Sequence, residues 1–505
     1  MTTADYQEQF RPQLHFTPAE MWLNDPNGLV FYEEEYHLFY QYHPESTVWG
    51  PMHWGHAVSK DLVHWEHLPI ALAPDGNGTI FSGSAVVDKQ DTSGFFAGES
   101  GLVAIFTQHD KALETDITRQ TQSIAFSKDK GRTWTLYANN PVLIEERLTD
   151  FRDPKVFWHA PQQKWVMIIA AGDHVRIYTS PNLKDWTYVS EFGAGHGSHA
   201  GVWECPDLFA LPVDGDAFAT KWVLIVSIGD HPDNKEGSRT QYFIGDFDGH
   251  TFIPEESPAP TLWLDYGRDN YAGVTWSDFP EEDGRRVLIG WMNNWKYANK
   301  IPTSAWRGAM TLPRELSLST ETEGIRVMQR PVRELSSQRR DEERWESFIV
   351  SSEYEQEENI FAMPQGELLE IIVELEIGDA TEFGLRLSTA DNEETIIGYA
   401  TSEQNLFIDR TKSGTVNFHD DFACKHNAPL KPMDGTIKLT IFVDWSSVEV
   451  FSYDGKLVMT DLVFPSSSRK ELKLYAKEGS ISVKSLTFYT LESIYASKLA
   501  PISQS

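Results

Sequence analysis

The sequence predicts an all-β chain: a five-bladed β-propeller over residues 1–335, a linker over 336–345 and a C-terminal β-sandwich over 346–505. Three observations predict it. A strand–turn–aromatic phrase recurs along the N-terminal part. Short β-branched or aromatic runs bounded by Gly, Pro or charge fill the intervals, with no long helical period among them. After about residue 340 the texture changes to cleanly alternating strands. At 505 residues the chain is also too long for one ordinary core.

The phrase appears first as HAVSKDLVHWEH, with Ser59 and Trp65. It returns as IAFSKDKGRTWTLY, with Ser127 and Trp134, and as IYTSPNLKDWTYV, with Ser180 and Trp186. YFIGDFDGHTFIP, with Gly245 and Phe252, is a degenerate fourth copy. In each, an apolar strand meets a polar turn and then an aromatic. Repeats of this length suit radial units, each a small antiparallel sheet. Unrelated hairpins in one large β protein are the alternative. Between the copies, YHLFYQYH, GLVAIFTQ, KWVMIIAAG, KWVLIVSIG and RRVLIGWM read as strands, and their spacing suggests about five blades.

At RPVRELSSQRRDEERWE, Pro331 can open a short helix, and the charge run after it reads as solvated. In LLEIIVELEI, Leu369, Ile371, Val373 and Leu375 share one face. IKLTIFVDWSSVEVFSYDG gives two strands, with a hairpin turn at Asp454 and Gly455. This half reads as an antiparallel sandwich.

Composition removes several functions. Acids number 75 against 43 Lys and Arg, for a formal charge of -32, which opposes nucleic-acid binding and docking on anionic membranes. A neutral substrate such as a sugar is not repelled. Aromatics make up 12% of the chain, with 17 Trp, enough to leave some for a binding cleft. The two cysteines, Cys205 and Cys424, give no disulfide framework. His196 and His199 sit on a Gly-rich loop with no third ligand near, so no metal and no cofactor are expected. There is no apolar run long enough to span a membrane. MTTADYQEQFRPQLHF has no signal-peptide pattern, which points to the cytoplasm, or to secretion if a leader has been removed. Asn77-Gly78-Thr79 matches a glycosylation sequon and reads as a turn.

Three carboxylates stand inside apolar or strand-edge segments. Asp25 lies in WLNDPNG, Asp153 in FRDPKVFW beside Arg152, and Glu204 in GVWECPDLF between Trp203 and Cys205. Burial makes an unpaired charge costly there. Taken singly, NDPNG reads as a turn, Asp153 as a structural ion pair or cap near Arg152, and Glu204 as a strand-edge acid. Taken together, acids from different blades can meet at a propeller axis. Glycoside hydrolysis needs such a pair, about 5 Å apart when configuration is retained. Trp22 beside Asp25 would suit a sugar lying on an indole face.

These motifs resemble glycoside hydrolase family 32, the β-fructofuranosidases. WLNDPNG is similar to that family's WMNDPNG, with Leu23 in place of Met. FRDPKVF is similar to its RDP motif and WECPDLF to its EC motif. FSGSAV at 81–86 and WGHAVSKDLVHW at 54–65 are family-like too. The resemblance runs from about residue 13 to the end. It implies a five-bladed propeller followed by a sandwich. It also implies Asp25 as nucleophile, Glu204 as general acid/base, and Asp153 as the acid that grips fructosyl hydroxyls and stabilises the transition state. By the same resemblance Asn24, Gln41, Trp49, Phe81, Ser82, Arg152 and Trp291 line the terminal-sugar pocket; without it, Trp49 and Trp291 read equally as core. Asp25 then has to be ionised and needs hydrogen-bond donors. Glu204 has to start protonated, with Trp203 and Cys205 as suitable neighbours.

The implied activity is a retaining, exo-acting β-fructosidase on fructans (levan, inulin) and sucrose. WGPMHWGHAVSKDLVHW, DYGRDNYAGVTWSD and GWMNNWKYANKIPTSAWR look more like levanases and exo-inulinases than invertases. A sucrose-preferring invertase or a fructosyltransferase is the alternative. A non-catalytic sugar-binding propeller is a third reading, opposed by the presence of all three acids. The sandwich is expected to support the propeller and to shape the cleft or a homodimer contact. Asp444 and Glu449 in it read as structural.

Overall fold

The computed structural model describes residues 6–111, 118–255, 260–352, 360–362, 368–389, 391–467 and 469–495. The first five residues of the segment read for a leader, and the last ten of the expected sandwich domain, lie outside the described residues. The architecture is a β-propeller followed by a β-sandwich, as predicted.

Five antiparallel sheets make the blades. Their first strands are Met21–Tyr32, Thr79–Asp88, Arg152–His159, Trp203–Val213 and Tyr271–Thr275. Each of these five contacts the next, and the fifth contacts the first, so they form a ring around the axis. Second strands such as Lys164–Ala170 (KWVMIIA) are buried almost throughout, packed between neighbouring blades. Outermost strands are short or partly exposed: Thr135–Leu136 is exposed, and half of Thr187–Phe192 is. Blades four and five are joined by a parallel pairing of Val213 with Leu318. The ring is closed by the short strand Trp306–Arg307, which lies between the second and third strands of blade five and pairs in parallel with Met21 and Trp22 of blade one.

The recurring phrase is the connection between the third and fourth strands of blades one to four. Its turns share one chemistry. Ser59 Oγ donates to Asp61 (3.1 Å), Ser127 Oγ to Asp129 (2.8 Å) and Ser180 Oγ to Asn182 (3.3 Å). In the fourth copy Asp248 accepts from the N–H groups of His250 and Thr251. These side chains mimic backbone turns.

The sandwich stacks two six-stranded sheets. Leu369, Ile371, Val373 and Leu375 are buried together in its core, and Asp454 and Gly455 form the turn between Ser447–Ser452 and Leu457–Leu462. A 3₁₀ helix, Arg333–Gln338, follows Pro331. The expected linker over 336–345 is different from what forms. Arg339–Ser351 is a strand paired along Ser480–Leu491. Its charges are solvated because the strand is the sheet edge, where charge blocks further pairing.

The two parts meet across a buried polar seam. His15 lies 2.7 Å from Asp444 and 2.8 Å from Glu449. Arg314 pairs with Asp265 at 3.0 Å and with Glu449 at 2.6 Å. Arg410 of the sandwich pairs with Asp269 of the propeller at 2.5 Å. Asp444 also accepts from the N–H groups of Gln13 and Leu14. Asp444 and Glu449 are therefore structural members of the seam.

Candidate active site

The first strands bring the predicted acids to one end of the axis, and a shared irregularity aims them. The pairing of every first strand with its second strand slips near its start: between Leu23 and Pro26, Ile80 and Gly83, Arg152 and Lys155, Glu204 and Asp207, and Tyr271 and Val274. A regular strand sends consecutive side chains to opposite faces. A bulge breaks that alternation and re-aims them. Consecutive pairs accordingly line one pocket: Asn24 with Asp25, Phe81 with Ser82, and Arg152 with Asp153. At three of the bulges a non-glycine residue has positive φ: Asp153 at 63°, Cys205 at 47° and Ala272 at 53°. Such backbone is costly and clusters at functional sites.

The pocket has a volume of about 360 Å³. Asn24, Gln41, Ser82 and Asp153 among its lining residues are all buried. Trp49 stands at the mouth, 43% exposed.

Asp25 receives the donors it needs. Asn24 Nδ2 donates to Oδ1 at 3.0 Å and Ser82 Oγ to Oδ2 at 2.8 Å, with Cys205 Sγ at 3.5 Å. The Asn24 amide cannot turn round, because its oxygen accepts from the Trp22 indole at 2.7 Å. Burial, and then the charge of Glu204, raise the Asp25 carboxyl above the usual range; the three donors oppose that rise. Asp153 accepts from the backbone N–H of Cys205 at 2.9 Å. Burial pushes its pKa up to about 7 against the pull of Arg152. Glu204 is held from two sides: Arg152 donates to Oε1 at 2.9 Å, and the Tyr271 hydroxyl donates to Oε2. Arg152 is thus committed to Glu204 and Asp150, and not to its neighbour Asp153.

Three expectations need correction. Trp291 is fully buried behind the wall, and Trp295 lines the pocket instead, its ring 4.7 Å from that of Trp291. Trp22 is fully buried and offers no face to a sugar; it packs against Trp291 and Trp295 and orients Asn24. Trp203 also faces the core, donating to Ser198 O, and Cys205 points at Asp25 and Asp153. The neighbours of Glu204 are Arg152 and Tyr271. Asp207 is excluded from the pocket: buried, it accepts from Thr275 and pairs with Lys155 at 3.3 Å. Sequence reasoning missed Trp295, Tyr271, Asp230, Val202 and Gly229. Asn24, Gln41, Trp49, Phe81, Ser82 and Arg152 all line the pocket as expected. Gln41 Nε2 is buried with no hydrogen-bond partner among the described residues, so it is free to donate to a ligand hydroxyl.

Carboxylates facing one polar, aromatic-walled pocket are the equipment of a glycoside hydrolase. The chain belongs to glycosyl hydrolases family 32: the model of the family's N-terminal domain matches residues 15–331, and that of its C-terminal region residues 334–490. It is 55% identical to a levanase of Bacillus subtilis over 494 residues, covering 97% of this chain and 72% of the relative. It is 40% identical to an extracellular exo-inulinase of Aspergillus niger over 515 residues, covering 94% and 93%. The crystal structure of exo-inulinase from Aspergillus awamori superposes with a TM-score of 0.88 at 38% identity, covering 97% of this chain and 99% of that one.

Proposed function

We propose that this glycoside hydrolase is an exo-acting, configuration-retaining β-fructosidase. It removes terminal non-reducing β-D-fructofuranosyl residues from fructans such as levan and inulin, and it splits sucrose. The observation that carries this reading is the single pocket that Asp25, Asp153 and Glu204 share, with buried Asn24, Gln41 and Ser82 also lining it. A pocket of about 360 Å³ lined by buried polar groups suits one terminal sugar. The similarity to a levanase and to exo-inulinases supports the choice of fructans.

In the proposed mechanism Asp25 attacks the anomeric carbon while Glu204 protonates the departing glycosidic oxygen. Glu204 then takes a proton from water, which attacks the fructosyl ester and restores Asp25. Arg152 and Tyr271 fix the Glu204 carboxyl so that it faces the leaving group. Asp153 accepts from fructosyl hydroxyls as the oxocarbenium charge develops, and the surrounding acids favour that charge.

Product analysis of inulin and levan digests tests the reading. Fructose should be the only early product. Oligomers accumulating ahead of fructose would show internal cleavage and overturn exo action. Sucrose supplied alone and at high concentration reports the alternative: kestose-type trisaccharides as main products would indicate a transferase.

A further inference from the structure

Away from the pocket, one cluster in the sandwich joins a thiol, an imidazole and a carboxylate in line. Cys424 Sγ lies 3.8 Å from Nδ1 of His426. His426 Nε2 lies 2.9 Å from Oδ2 of Asp461. The local sequence explains the first contact. Lys425–Pro429 is a strand in which His426 and Ala428 are buried while Lys425, Asn427 and Pro429 are exposed. Cys424 precedes His426 by two residues and so shares its side. Asp461 arrives from Leu457–Leu462 of the other sheet.

His426 and Asp461 are buried, whereas Cys424 is half-buried between exposed Ala423 and Lys425. The thiol therefore has an approach from solvent, and its base does not. A carboxylate that fixes an imidazole beside a thiol is the arrangement that makes cysteine nucleophilic. None of these residues lines the active-site pocket.

We propose that Cys424, His426 and Asp461 form a thiol-modification site that takes small, soft electrophiles, specifically low-molecular-mass disulfides. The Cys424 thiolate attacks one sulfur of the disulfide and a new S–S bond forms. The old S–S bond breaks, and the departing thiolate takes the proton that His426 holds. The electrostatics agree with the geometry. Burial works against the Cys424 thiolate, but its bond to His426 and the charge of Arg410 outweigh burial and lower its pKa. Burial likewise opposes the imidazolium, yet Asp461 pushes His426 up to about 9. Other charges face the pair. Arg410 is 3.3 Å from Asp461 and is backed by Asp269 and Tyr297 of the propeller. Asp409 lies opposite Lys425, and His419 and Asp421 sit in the preceding loop.

The test is the rate at which the folded enzyme takes up bis(2-hydroxyethyl) disulfide between pH 5 and 10, with the site located by peptide mass mapping. Cys424 should react at pH 6 about tenfold faster than an ordinary thiol of pKa about 8.5, and the pH–rate midpoint should lie below that value. His426→Asn should remove that advantage, Cys424→Ser should remove the label, and hydrolysis of sucrose should be unchanged in both. A midpoint at or above that of an ordinary thiol, or an equal rate in His426→Asn, overturns the proposal. If His426→Asn does not fold, the wild-type profile alone decides. Buried Cys205 provides the unlabelled control.

Discussion

At the scale of the residue, the site turns on who holds each carboxyl. Asp25 is half-buried in an acidic setting and is kept usable by three donors, of which Ser82 is the nearest at 2.8 Å. A hydrogen bond to a charged group is worth ~1.5–3 kcal/mol. Ser82→Ala should therefore move the acid limb of the kcat/KM profile to higher pH, by about one to two units at 1.36 kcal/mol per unit. The sign follows from losing a donor that favours the ionised form. A pH–rate profile on sucrose measures it, and an unmoved limb would detach that limb from Asp25. The three acids were legible because long motifs surround them. The roles of individual tryptophans were not. Trp291 and Trp295 stand four apart in WMNNW, and the chain between them leaves the strand after Trp291. Asn294, bonded to the carbonyls of Glu236 and Arg268, shapes that turn. Contacts so distant in sequence decide which indole reaches the pocket.

At the scale of the element, strands and blade turns were readable because each follows a local rule. Apolar runs bounded by Gly or Pro became the buried second strands. Ser-x-Asp or Ser-x-Asn followed by an aromatic became the outer hairpin. The bulges were the feature left unread, although the sequence carries a sign of them. Pro26, Gly83, Pro154, Pro206 and Gly273 each fall at the slip in a first strand. Proline lacks a ladder donor, and an interior glycine often marks a bulge. At Gly83 the reason is visible: a Cβ would lie 2.1 Å from the carbonyl oxygen of Ile105. Tyr271 escaped notice because it lies on a short first strand with no acid to draw attention to it. The charge run at 339–346 hid a strand for the opposite reason, since an edge strand tolerates the composition of a loop.

At the scale of the whole molecule, the seam makes the sandwich part of the same folding unit as the propeller. Burial opposes a charged His15, but its bonds to Asp444 and Glu449 push its pKa up to about 9. A histidine raised above its unfolded value of about 6.5 stabilises the fold fully below that pH and stops doing so as pH rises through about 9. His426 is raised to about 9 as well and adds in the same direction. The melting temperature of the wild type should therefore fall between pH 7 and 10. In His15→Gln it should already be lower at pH 7, with a shallower fall to pH 10. Circular dichroism melts check this, and parallel curves for the two proteins would remove His15 from the account.

The central claim is that Asp25 forms a covalent fructosyl ester which Glu204 helps to make and to break. The most direct measurement uses Glu204→Ala with a nitrophenyl β-fructofuranoside, whose leaving group needs little protonation. Without its base the enzyme should accumulate the ester, and rapid acid quench with peptide mapping should find one anhydrofructosyl unit on Asp25. Added azide, which needs no base, should discharge it as a fructosyl azide of retained configuration. No adduct under burst conditions, or an adduct on Asp153 or another residue, would contradict the account.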